Sequence, residues 1–106
     1  MSDKIIVLIT AGSPDEASMI ARTLVDERLV ACVNLLSGVR SIFVWEGKTQ
    51  EASETLMICK SRMPMMDRIV ARVRSLHSYS VPEILALPVV AGLPDYLRWV
   101  ESSTQD

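Results

Sequence analysis

The sequence predicts an α+β domain of four strands and three helices. Three observations carry this. Apolar runs rich in β-branched residues stand at 4–11 and 84–91. Two longer extended runs, 30–46 and 49–60, flank a Glu46-Gly47-Lys48 turn. Three stretches with apolar residues at helical spacing alternate with these runs or follow them. At 106 residues the chain is long enough for one core and one domain.

Lys4 to Ala11 is apolar without alternation, as in a strand buried on both faces. Gly12 ends it. Ser13 is placed as an N-cap, Pro14 at the first helical position, and Glu16 as the reciprocal half of a capping box. Ala17, Ile20, Ala21, Leu24 and Val25 form one apolar stripe, and the helix should end near Arg28. Two arms around Glu46-Gly47-Lys48 predict a β-hairpin, with a bulge or bend at Ser37-Gly38. Met63-Pro64 opens the second helix, whose stripe is Met66, Ile69, Val70, Val73 and Leu76 or His77. Arg62, Arg68, Arg72 and Arg74 give it a solvated polar side. Ile84 to Ala91 is the fourth strand, and Pro88 within it demands a sheet edge or a bulge. Tyr96, Leu97, Trp99 and Val100 mark a short last helix, and residues 102–106 are expected to fray.

The order β-α-β-β-α-β, plus a C-terminal helix, is the ferredoxin-like split βαβ sandwich. Three helices can cover one face of such a sheet. Yet the strands are apolar on both parities, whereas a sheet with one wet face should alternate. Another copy of the chain is the economical cover for the second face, so an obligate homo-oligomer is expected.

Composition excludes several classes. Eleven basic and 13 acidic residues give a net charge of −2, and no Lys or Arg run exceeds two. Nucleic-acid binding is therefore not expected. No apolar run reaches membrane-spanning length, and residues 1–4 lead into a short apolar run without a cleavage site, so a cytoplasmic location is expected.

The chemistry gathers at His77-Ser78-Tyr79-Ser80-Val81-Pro82-Glu83, a helix-to-strand loop that holds the sole histidine. Cys32 and Cys59 lie on the two hairpin arms. If the turn centres on Gly47, Cys59 faces about Leu35, ~10 Å along the strand from Cys32. That exceeds disulfide reach, so free thiols are expected. No Cys or His pair has metal-ligand spacing, and no glycine-rich phosphate loop occurs. Cys32 and His77 form a nucleophile–base pair only in composition, so no enzyme is expected. Glu46 beside Trp45 and Glu83 at the fourth strand are the carboxylates of interest, with Lys48 as a neutralising charge. Tyr96 and Trp99 share a helical face and could wall a pocket beneath the 77–84 loop.

The motifs L-V-A-C-V-N-L (29–35), W-E-G-K (45–48), H-S-Y-S-V-P-E-I (77–84), A-L-P-V (86–89) and D-Y-L-R-W (95–99) occur in one order along the chain. Together they resemble the CutA, or divalent-cation tolerance, family, with residues 1–106 as one CutA-like domain. The resemblance implies a fold similar to the PII signalling proteins and a homotrimer with packed sheets. It also implies tolerance of copper and other divalent cations. Cys32, Trp45, Glu46, Lys48, His77, Tyr79, Glu83, Tyr96 and Trp99 match the family pattern. The expected metal ligands are Cys32, His77, Glu83 and Glu46, with copper or another divalent ion as the bound species. Trp45, Lys48, Tyr79, Tyr96 and Trp99 are expected to line clefts between subunits. Two departures stand out. Ser78 replaces the usual proline, which implies a looser loop. Ile9 and Leu76 occupy positions where copper-binding members can carry a cysteine and a second histidine. An alternative is a PII-like regulator that holds a small anion in the intersubunit cleft and meets a protein partner through its hairpin.

Overall fold

The computed structural model describes residues 2–104. Its elements are β1 (Lys4–Ala11), α1 (Pro14–Asp26), β2 (Cys32–Trp45), β3 (Lys48–Arg62), α2 (Met66–Leu76), β4 (Ile84–Pro88) and α3 (Pro94–Ser103). The four strands make one antiparallel sheet in the order β2-β3-β1-β4. This is the ferredoxin-like plan that the element order predicts. β4 lies at an edge, and Pro88 ends it there rather than running on to Ala91.

One parity of the strands builds the core. Ile5, Val7, Ile9 and Ala11 of β1 and Met57 and Cys59 of β3 pack against Ala17, Ile20 and Leu24 of α1 and Ile69 and Val73 of α2. The Ser13 Oγ caps α1 by accepting the Glu16 N–H at 3.1 Å. That helix stops at Asp26, two residues before Arg28. Arg28 takes φ 60°, and the Leu29 and Arg28 N–H groups close back on the Leu24 and Val25 carbonyls. This is a Schellman stop with arginine where glycine is usual. Before α2, Met63–Met65 form a 3-10 turn around Pro64. Arg62 belongs to β3, not to the polar side of α2.

The other parity faces away from α1 and α2. It presents Ile6 and Leu8 of β1, Leu56 and Ile58 of β3, Leu36 of β2, and Leu85 and Leu87 of β4. Leu85 is 55% exposed, Leu87 47% and Leu36 45%. The double apolarity of the strands therefore marks a real second apolar face. α3 does not join the other helices. Its Glu101 pairs with Lys4 at 2.6 Å, Thr104 bonds Arg62, and the Tyr96 hydroxyl lies 3.5 Å from the Cys32 sulfur. Lys4, Arg62 and Cys32 share the second-face parity. α3 thus covers one end of the second face and leaves the rest open. The expected fraying stops short of Thr104, which is fully buried and holds the Arg62 guanidinium through its hydroxyl and carbonyl at 2.8 Å. Residues 105–106 lie outside the described part.

The hairpin register corrects the sulfur argument. Trp45 pairs with Lys48, so the turn has two residues, Glu46 at φ 51° and Gly47 at φ 76°. Positive φ at both is the type I′ geometry that follows strand twist. Ser37 and Gly38 together oppose Thr55, which is the expected bulge. Turn and bulge each shift the pairing by one, and Cys59 faces Val33 rather than Leu35. Cys32 faces Lys60, so the two thiols point to opposite faces of the sheet. Both are free. Burial pushes the Cys59 thiol up to about 12, with the Cys32 sulfur adding to the shift.

β1 pairs with β3 only as far as Ala11 and Thr55. Beyond that level residues 39–54 form a two-stranded arm, and the molecule is 43 Å long against 25 and 22 Å across. The arm is apolar on both sides at its end, with Ile42 and Val44 alternating with Phe43 and Trp45.

Candidate functional site

A cleft of about 760 Å³ opens where the arm leans over the loop between α2 and β4. Its walls are Thr10, Ser41, Ile42, Phe43, Trp45, Gln50, Glu54 and residues 79–83. The only charged side chains among them are Glu54 and Glu83.

The loop is fixed by hydrogen bonds from three directions. The His77 ring is fully buried. Its Nε2 lies 2.7 Å from the Thr10 carbonyl, and its Nδ1 accepts the Tyr79 N–H at 3.0 Å. Those partners define the tautomer: Nε2 carries the hydrogen and Nδ1 the lone pair. Glu16 takes the next residue, accepting the Ser78 N–H at 2.7 Å and the Ser78 hydroxyl at 3.0 Å. The loop is not looser for having serine where proline is usual, because proline could give neither bond. The Tyr79 hydroxyl then donates to Glu54 at 2.8 Å. Gly12 gives the ring passage: a Cβ there would stand 3.1 Å from the Tyr79 hydroxyl oxygen. Burial, reinforced by the Glu54 bond, pushes the Tyr79 phenol up to about 12.

The expected site residues separate into groups. Trp45, Tyr79 and Glu83 line the cleft. Cys32, Tyr96 and Trp99 stand at the α3 end of the second face. Ile6 is beside Lys60, the partner of Cys32, while Thr10 is at the cleft, so ~13 Å of β1 separates the two groups. Tyr96 and Trp99 meet in a tilted contact, with centroids 5.4 Å apart, and do not wall this cleft within the protomer. The Cys32 contact, then burial, raises the Tyr96 phenol to about 12. Glu46 and Lys48 sit at the exposed hairpin tip. Cys32, His77, Glu83 and Glu46 do not converge, and among the described residues no three Cys, His, Asp or Glu side chains form a metal-sized group. His77 has no ring nitrogen to spare. Within one protomer, these residues do not fit a metal ion.

Sequence reading missed Thr10, Gly12, Glu16 and Glu54. Gly12 reads as a strand end and Glu16 as half of a capping box; neither reveals a partner more than 60 residues away. Burial opposes the Glu16 charge, but the Ser78 and Gly12 donors and nearby His77 together lower its pKa. The carboxylate's stabilisation of the loop is thus full at neutral pH, above the unfolded pKa, and is lost as pH falls through the folded value. Glu16→Gln is expected to cost ~1.5–3 kcal/mol of loop stability. Hydrogen exchange should show the Ser78 amide losing protection in acid in the native protein, and at every pH in Glu16→Gln.

Comparison with known proteins decides the family. The model for the CutA1 divalent ion tolerance protein matches residues 5–103. The chain belongs to the CutA1 family. The Thermus thermophilus divalent-cation tolerance protein CutA is 43% identical over 93% of this chain and 96% of its own. The chloroplastic CutA of Arabidopsis thaliana is 38% identical over 96% of this chain but 56% of its own, so the chain spans a little over half of that relative. A solved Thermus thermophilus CutA1 superimposes with a TM-score of 0.95 at 42% identity, covering 96% of this chain and 99% of that one. The Archaeoglobus fulgidus protein, described as periplasmic, gives 0.93 at 37% identity, covering 96% and 99%. The strand plan and second apolar face are thus set in a CutA1 chain. No helix among the described residues is long and apolar enough to cross a membrane.

Proposed function

We propose that this CutA1 chain is a homotrimer that binds divalent cations, copper among them, between its subunits, and is not a catalyst. The observation that carries the cation reading is the cleft's charge. Glu54 and Glu83 face it and no Lys or Arg lines it. That balance suits a cation and opposes the alternative of a small anion held there as in a PII-like regulator. The open apolar face and the exposed arm support assembly: a lone two-stranded ribbon is marginal in water, and the second face has no other cover among the described residues.

Since one protomer gathers too few donors, a divalent ion must draw on two. Cys32 at one end of the second face and the carboxylates at the other are the groups that a neighbouring copy can bring together. Thiolate is the donor here that favours copper, while carboxylates alone suit harder ions. A catalytic role finds no support in Cys32 and His77, which touch different partners at opposite ends of the sheet. A cytoplasmic location suits the two free thiols. The arm, where uncovered, is the surface for any protein partner.

The test is copper titration by calorimetry on wild type, Cys32→Ala and Glu83→Gln, with mass by light scattering. A trimer whose copper affinity falls about tenfold or more in either variant is expected, since each removes a ligand. A monomer, or equal affinities in all three proteins, would end this reading.

A further inference from the structure

We propose that the cleft under the arm takes a small organic cation bearing primary ammonium groups, an aliphatic amine or diamine. This rests on the reading above that the cleft receives a cation, and it adds the ligand's chemistry. Volume is the first reason. About 760 Å³ is molecular space, where a water molecule fills roughly 30 Å³ and small-molecule sites begin at about 300 Å³. A bare metal ion would leave nearly all of it to solvent.

The walls are the second reason. Ile42, Phe43, Val81 and Pro82 offer apolar surface for a methylene chain, and Trp45 offers an indole face. Aromatic faces attract cations by their quadrupole, tryptophan most strongly.

Glu54 is the third reason. It is only 8% exposed, yet among the described residues no cation pairs with it. Among the described residues its one side-chain hydrogen bond is from the neutral Tyr79 hydroxyl to Oε2. No buried side-chain oxygen in the described chain is left unpaired, so Oε1, which has no protein donor, reaches solvent in the cleft. With one oxygen bonded to a neutral hydroxyl and the other facing the cleft, this carboxylate gains from a positive partner there. An ammonium N–H supplies both the charge and the missing donor. A quaternary ammonium supplies the charge alone, so primary amines should bind better. Glu83, exposed on the same wall, is placed for the second ammonium of a diamine.

The experiment uses the full chain as it assembles. Putrescine is titrated by calorimetry, with tetramethylammonium and butanediol as probes of charge and of shape. Putrescine should bind, tetramethylammonium should bind more weakly, and butanediol should not bind. Glu54→Gln should weaken putrescine about tenfold or more by removing one buried charge partner. If that variant fails to assemble, Glu83→Gln, at an exposed position, should still weaken the diamine several-fold. Trp45→Ala should do so too. Butanediol binding as well as putrescine would overturn the proposal. So would putrescine failing to bind while copper binds; the metal reading then stands. Failure of both cations would remove both readings.

Discussion

Leu85→Glu combined with Leu87→Glu is expected to abolish the assembly. Both leucines sit on β4, opposite Leu8 and Ile6, on the face that α1 and α2 leave uncovered. Each is about half exposed in the protomer, and burying a leucine contributes ~1.5–3 kcal/mol. Only the exposed half of each remains to be buried on assembly, so the two per chain make ~1.5–3 kcal/mol lost at each protomer's share of the interface. Two carboxylates forced into an apolar contact without partners deepen the loss. Light scattering should return the mass of one chain, and the separated chain should unfold at a far lower temperature than the wild type. Arg22→Glu, on the exposed side of α1, is the control and should keep the wild-type mass. A double variant that stays assembled would mean that the copies meet elsewhere, and the arm would be the next surface to test.

The reading of that face shows what periodicity carries. Apolar residues at both parities of β1, from Ile5 to Ile9, announce two apolar faces, because side chains on a strand alternate strictly. The same rule fails for α3. A helical stripe such as Tyr96, Trp99 and Val100 shows that one side is buried but not which face of a sheet receives it. The Lys4–Glu101, Arg62–Thr104 and Cys32–Tyr96 contacts, linking residues distant in sequence, place α3 on the second face. Register has a similar limit. Gly47 marks a turn, but the difference between a two-residue and a three-residue loop is one position, and a bulge adds another. Those two steps bring Cys59 opposite Val33 and put the thiols on opposite faces. The cleft was half legible. Tyr79, Glu83 and Trp45 stand in motifs, whereas Glu54 reads as an ordinary strand carboxylate until the fold buries it.

His77→Ala is expected to destabilise the protein by ~3–5 kcal/mol and to weaken copper only as far as the loosened loop does, in step with putrescine. The ring is wholly buried, so its removal leaves a cavity comparable to other large aromatic truncations. It also strips the Thr10 carbonyl and the Tyr79 N–H of their partners, and an orphaned buried group costs ~1–3 kcal/mol. Both nitrogens are spent on the backbone, so coordination would require breaking one of these bonds first. The stability loss should spread along the loop. With the Tyr79 N–H released, the phenol loses its bearing on Glu54, and putrescine affinity should fall together with stability. Denaturant unfolding at fixed protein concentration measures the first effect, and calorimetry with copper the second. A variant that keeps its stability within about 1 kcal/mol but loses copper would make the imidazole a metal ligand. The Thr10 and Tyr79 bonds would then describe only the metal-free loop.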